Sequence, residues 1–232
     1  MPPANESHTE ETTITERLNN FLQKHRSKLF IGLISVIVIL AGFIVFSTVR
    51  DKLLSEALVK VDGFNRRYET LKIFIGGDDE EALSKQGEIT ALLDDISAFT
   101  GKNSGFPAAK AYAISAEINW DKKNWEEAEK AWTASAEAAA KTYLAPVSMY
   151  NAAAAAEEQG NVQTAVDLYT KAINYEGDFP AAARAQFSIG RLEESRNNKT
   201  AALEAYRNLV SKWPSDPVWA SLAQSRIVVL SD

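Results

Sequence analysis

Hydrophobic and polar positions follow one another along this chain in three rhythms. From Leu29 to Val49 no residue carries a charge. At about 1.5 Å per residue a helix over that run reaches roughly 31 Å, the thickness of a bilayer's hydrocarbon core. Beyond it the apolar residues recur every seven, at Leu54, Val61, Tyr68 and Ile75, with Ala57, Phe64 and Leu71 between them. This predicts an amphipathic helix of about 25 residues continuing from the apolar run. From there to the C-terminus the rhythm lengthens to a repeat of 37 residues: Asn124, Asn161 and Asn198; Ala128, Ala165 and Ala202; Trp132, Tyr169 and Tyr206. Ala116, Ala153 and Gly190 keep the same step upstream, and Pro180 and Pro217 take it once. Strand-like alternation is absent, so the expected fold class is all-α, an N-terminal transmembrane helix followed by a helical-repeat solenoid.

Each repeating column has a physical reading. The asparagine begins a second helix and its side-chain oxygen can cap a free N–H of the first turn, with Glu127 completing a capping box in the first unit. The turn residue before it is Lys123, Gly160 or Asn197; Gly and Asn tolerate a left-handed backbone, whereas Lys123 does not favour it. The alanine lets the paired helices approach, and the ring four residues later fills the space between units. A helical hairpin of this kind cannot bury its apolar face alone, so the units must stack.

These columns resemble the tetratricopeptide repeat. Gly160 with Ala165, Tyr169 and Ala172 is the best match, and Ala202, Tyr206 and Pro214 make another. The chain departs from the family pattern in its spacing of 37, in Ala156 where a ring is expected, and in Ser135 where a small alanine is expected. A fourth, upstream unit is suggested by Gly87 and Ala91, with Asp95 at the ring position. The resemblance implies that the first helices line a concave groove. It assigns partner-binding positions to Lys110, Glu117 and Trp120; to Val147, Tyr150 and Glu157; and to Arg184, Phe187, Arg191 and Glu194. Aromatic rings beside arginines suit an extended polypeptide, through apolar contacts and charge-assisted bonds to carboxyl groups.

The pattern divides the chain into a disordered cytoplasmic tail, 1–28, with a basic juxtamembrane end; a transmembrane anchor, 29–49; a membrane-proximal helix and divergent first repeat, 50–106; and three repeats with a capping helix, 107–232. The tail from Met1 to Thr15 is polar and is expected to be disordered. The long lead before the apolar run and the poor site at Val45-Phe46-Ser47 argue for an uncleaved anchor. Lys24, His25, Arg26 and Lys28 crowd its near edge, against Arg50 and Lys52 just beyond it, so the N-terminus is expected in the cytoplasm. Within the following segment, Gly76-Gly77 breaks the chain and Asp78 with Glu81 starts a helix ending near Gly101. Pro107 is placed as a first helical residue, and Pro217 opens the final helix through Val218, Trp219, Leu222 and Ile227. The heptads at Leu54, Val61, Phe64, Tyr68 and Leu71 either pack against the first repeat helices or form a homodimer seam.

Composition narrows the chemistry. The formal charge of -6 argues against nucleic acid as a partner, and without cysteine there are no disulfides, thiol catalysis or thiolate metal sites. The only histidines, His8 and His25, lie in the tail and beside the membrane. Asp94-Asp95 and Glu126-Glu127 are adjacent carboxylates that point to different helix faces and converge on nothing. Trp125, Trp132, Trp213 and Trp219 fall at repeat joints, where core packing is expected of them. No catalytic residue, metal site or cofactor is expected, and the chain reads as a non-enzyme.

The whole layout resembles the YfgM-type ancillary subunits of the bacterial Sec translocon. That resemblance implies a single-pass protein of the bacterial inner membrane with its repeat domain in the periplasm. It also implies translocon subunits, periplasmic folding factors and exported polypeptides as partners. The competing readings are a scaffold for cell-wall or division machinery, and a receptor that signals through its span.

Overall fold

The computed structural model describes residues 14–177 and 179–231. Among them every long element is an α-helix: α1 (Ile14–Leu71), α2 (Glu80–Thr100), α3 (Gly105–Asp121), α4 (Trp125–Ala138), α5 (Leu144–Glu158), α6 (Val162–Ile173), α7 (Ala182–Ser195), α8 (Lys199–Lys212) and α9 (Trp219–Ser231). The chain divides into two units, Met1–Ser55 and Glu56–Asp232.

The first unit holds the N-terminal part of α1. Among the described residues α1 is the one helix long and apolar enough to cross a membrane. Its large apolar side chains from Leu29 to Val49 are exposed, from 43% at Leu29 to 69% at Ile39, so no protein core accounts for them. The expectation of a disordered tail through residue 28 is corrected here, because α1 begins at Ile14. An apolar helix supplies the nucleus, and each further residue then adds a hydrogen bond without a new nucleation cost. The part of the tail before Ile14 lies outside the described residues.

In the second unit the heptad face of α1 turns onto its own chain. Val61, Tyr68 and Leu71 are buried in a cluster with Ile89, Leu92 and Ile96 of α2 and Ile114 and Ile118 of α3, with Phe64 packed against it. The seam proposed for a homodimer is thus already filled by α2 and α3 at these three positions, and of the residues named for it only Leu54 stays largely exposed. The upstream repeat is corrected too. Gly87, Ala91 and Asp95 are exposed, and α2 buries Ala82, Ile89, Leu92, Ile96 and Phe99 instead. Asp95 reaches Arg67 across a 2.5 Å bond. Asp79, not Asp78, caps α2, accepting from the Ala82 N–H at 2.8 Å. Pro107 is the third helical residue of α3, which begins at Gly105, and α9 begins after Asp216, whose carboxylate accepts from Val218 and Trp219.

The three hairpins α3/α4, α5/α6 and α7/α8 share one corner. Lys123, Gly160 and Asn197 all adopt left-handed φ, at 59°, 76° and 58°. In each, the left-handed N–H donates to the carbonyl three residues back: Lys123 to Trp120, Gly160 to Glu157, Asn197 to Glu194, each at 2.9 Å. The next residue donates five back: Asn124 to Asn119, Asn161 to Ala156, Asn198 to Glu193. This is the Schellman arrangement, and it satisfies the last carbonyls of the first helix. The same asparagine carbonyl then accepts the first bond of the second helix, from Ala128, Ala165 or Ala202. The asparagine side chains matter less than expected. Only Asn198 caps with its side chain, to Ala201, while Glu127 pairs with Lys130 instead of closing a capping box.

The columns pack as their sizes require. Ala128, Ala165 and Ala202 are completely buried, and Trp132, Tyr169 and Tyr206 are nearly so. Tyr206 lies so close over Gly190 that an added Cβ would come within 2.7 Å of its Cζ. At Ser135 the hydroxyl donates to the Ala109 carbonyl at 2.9 Å, which commits its only proton. Ser148, at 2.8 Å, must therefore donate to Ser135 Oγ, so two buried hydroxyls join α3, α4 and α5.

Two substitutions test the corners. Lys123→Gly relieves a left-handed lysine and is expected to stabilise the chain by about 0.5–1 kcal/mol, while Gly160→Ala costs about as much. Thermal unfolding of the full chain in detergent, followed by circular dichroism, reads both, and equal signs would refute the assignment. Ser135→Ala is expected to cost about 1–3 kcal/mol by stranding Ser148, and adding Ser148→Ala recovers part of that loss. Strictly additive losses in the double variant would show that the hydroxyls do not depend on each other.

Candidate functional site

Stacking the hairpins leaves the first helices facing a cleft of about 910 Å³ in the second unit. Helix α3 contributes Glu117, Trp120 and Asp121; α5 contributes Tyr150, Asn151, Ala154, Glu157 and Glu158; α7 contributes Arg184, Phe187, Ser188 and Arg191. These three helices are equivalent in the repeat, so residues one unit apart come to one surface. Trp132 and Tyr169 reach it from the second helices, and Trp219 from α9. Tyr68 and Glu69 at the end of α1, with Lys72 just beyond it, enclose the cleft.

Of the positions expected from the sequence, Glu117, Trp120, Tyr150, Glu157, Arg184, Phe187 and Arg191 line this cleft. Lys110, Val147 and Glu194 do not. Lys110 pairs with Asp62 at 3.6 Å, Val147 is exposed outside the cleft, and Glu194 is held by Arg226. Sequence reasoning missed the α1 wall, because the heptad pattern assigned Tyr68 to packing only. It also read Trp132 and Trp219 as joint-fillers; both rings border the cleft as well.

The two ends of the cleft differ in chemistry. At the α7 end the aromatic rings cluster: Tyr150 and Tyr169 meet edge to face at 5.2 Å, and Phe187 lies 5.4 Å from Trp219. Two arginines stand among them with different commitments. Arg191 places one nitrogen 2.6 and 2.7 Å from the two oxygens of Glu157, which also accepts from the Tyr169 hydroxyl at 3.4 Å. Arg184 has no carboxylate partner among the described residues. Its guanidinium instead lies over Tyr150 at 5.4 Å and over Trp219 at 5.9 Å. The two rings attract the exposed cation without neutralising it. Burial raises the pKa values of both the Tyr150 and Tyr169 hydroxyls, so neither contributes charge near neutral pH.

At the α1 end the lining is acidic. The Tyr68 hydroxyl donates to Asp121 at 2.8 Å, which fixes that carboxylate against the wall. Burial raises the Glu117 carboxyl above its ordinary value; Lys72 opposes this, while Asp121 and Glu69 add to it. No group of three or more metal-ligating side chains assembles among the described residues.

Two comparisons bear on this arrangement. A family profile described as tetratricopeptide repeat matches residues 116–178 and 150–217. A TPR repeat-containing protein of Treponema pallidum (strain Nichols) is 30% identical to this chain over 230 residues, covering 93% of each.

The raised carboxyl of Glu117 sets the sign of a pH effect. A raised carboxyl pKa favours the folded state while the group is protonated, and the benefit is lost as pH rises through the folded value. Glu117→Gln is therefore expected to be more stable than the parent at neutral pH, the two converging below about pH 4. Melting temperatures of both across pH 3 to 8 check this, and a parent that gains on the variant as pH rises would overturn it.

Proposed function

The chain belongs to the tetratricopeptide-repeat family, whose repeats are protein-binding modules, and on that premise we propose that its cleft receives extended polypeptides beside a bacterial inner membrane to which α1 tethers it. The observation that carries this reading is Arg184, a cation lying over two rings and left without a carboxylate among the described residues. An entering acidic side chain or chain terminus supplies the missing partner through charge-assisted hydrogen bonds. Tyr150, Phe187 and Trp219 then take the neighbouring apolar groups. Because Arg184 is already positioned by its stacking, less side-chain entropy is lost when the bond forms.

The rest of the reading follows from the anchor. The basic cluster at Lys24, His25, Arg26 and Lys28 keeps the N-terminus in the cytoplasm, which puts the repeats in the periplasm. A single span confines the cleft to the membrane face, so its effective concentration near an exit site is high and weak contacts with passing chains suffice. This layout resembles that of the YfgM-type ancillary translocon subunits. Accordingly, the protein acts beside the Sec translocon and periplasmic folding factors, contacting newly exported proteins, and performs no catalysis itself.

A photocrosslinker at Tyr150 of the full chain, activated in native membranes before mild solubilisation, tests this. Translocon subunits together with many exported proteins are the expected products. Arg184→Glu is expected to lower the yield of client crosslinks about tenfold, the worth of one charge-assisted hydrogen bond. A single stoichiometric envelope partner without translocon subunits would overturn the reading in favour of a dedicated scaffold for cell-wall or division machinery.

A further inference from the structure

The segment of α1 before the apolar run has a pattern of its own. Leu18, Phe21 and Leu22 are exposed by 55%, 53% and 46%, and Leu29 continues their line at helical spacing. At about 100° per residue these side chains form a stripe roughly 100° wide. Lys24 and Lys28 follow one edge of it, four residues apart, and Arg26 lies along the other. Glu16, Asn19, Asn20, Gln23 and Ser27 make the opposite face. Large apolar groups left open to water, bordered by cations and backed by polar residues, are the make-up of a helix that lies in a lipid headgroup layer.

We infer that residues 16–28 form a second membrane contact, an interfacial helix seated on the anionic headgroups of the leaflet that the anchor enters. The proposal rests on the reading of 29–49 as a transmembrane span. Two observations favour lipid over a protein partner. His25 stands in the stripe between Leu22 and Leu29, its ring 4.8 Å from that of Phe21, and beyond it the stripe meets side chains that are exposed all round and long enough in sequence to cross the bilayer. The border charges are positive, the sign that anionic headgroups attract. Geometry makes the idea specific. In a straight helix along the membrane normal, Leu18 would stand roughly 16 Å beyond Leu29, past the headgroup layer and in water. α1 is unbroken through Ser27 and Lys28 in the absence of lipid, so seating the stripe requires its axis to turn toward the membrane plane there when the headgroups are present. Once it has turned, Leu18, Phe21 and Leu22 enter the acyl boundary while Lys24, Arg26 and Lys28 remain at phosphate level.

The absence of cysteine makes the test direct, because each introduced cysteine is the only label site. Full-length L18C, F21C, N20C, Q23C and V38C variants are spin-labelled and reconstituted in vesicles of phosphatidylglycerol and phosphatidylcholine, or of phosphatidylcholine alone. Collision with a water-soluble nickel chelate and with oxygen reports depth. The V38C label reads the anchor independently and is expected at hydrocarbon depth in both lipids. In the anionic vesicles, labels at 18 and 21 are expected to be several-fold less accessible to nickel than labels at 20 and 23. That contrast shrinks in phosphatidylcholine and when Lys24 and Lys28 are both replaced by Gln. If all four tail labels are equally wet while V38C sits in hydrocarbon, the interfacial helix is refuted and the anchor stands. Protection at 18 that tracks the protein-to-lipid ratio and broadens by spin–spin coupling would assign the stripe to a second copy and also refute it. A V38C label in water would refute the anchor itself.

Discussion

The second unit depends on how closely two helices of a hairpin can approach, and small side chains decide that distance. Ala116, Ala153 and Gly190 on the first helices and Ala128, Ala165 and Ala202 on the second are all buried. Burying an alanine loses no rotamer freedom, so these contacts order the backbone at little side-chain cost. Their stabilisation comes instead from the rings set over them, Trp132, Tyr169 and Tyr206, which remove large apolar areas from water. Gly190 marks the limit of this scheme: Tyr206 occupies the place of its missing Cβ. The cleft follows from the same constraint, because helices held at fixed spacing by small residues turn equivalent faces to one side.

Three arginines near the C-terminal end illustrate how similar residues acquire different roles. Arg226 grips Glu194 and fastens α9 to α7. Arg191 grips Glu157 and links α7 to α5 across the cleft wall. Arg184 is held by rings alone. The first two pairs are exposed enough that solvent screens much of their attraction, so they orient helices more than they stabilise them. Only the third leaves a charge available to a ligand.

How much of this was legible in the sequence depends on what each feature needs. Columns of size and shape recur at fixed spacing, so the hairpins, the ring positions and the buried alanines could be read directly. The facing of α3, α5 and α7 followed from the same register, and with it most of the cleft lining. What could not be read were features set by partners distant in the chain. Ser135 stood out only as a departure from alanine, until Ala109 and Ser148 gave its hydroxyl a place. Lys123 opposes its own backbone preference and is held left-handed because two main-chain bonds close around it. Gly87 and Ala91 fitted the repeat register by chance, and the burial of Ile89, Leu92 and Ile96 turned α2 the other way. The α1 wall escaped notice because Tyr68 serves two purposes, its ring in the core and its hydroxyl on Asp121.

The shared corner has one more consequence, which concerns how such a chain can grow. Each asparagine closes one helix with its N–H and opens the next with its C=O, and the N–H groups of the two residues before it are bonded as well, so no corner residue is slack. Inserting a single residue at a corner would rotate every column that follows by a quarter turn or more, setting rings where alanines belong. Inserting a whole hairpin would change none of these contacts. The groove is thus a quantity that comes in integers: descendants of this chain can offer a longer or shorter binding track by gaining or losing complete units, but not by intermediate amounts.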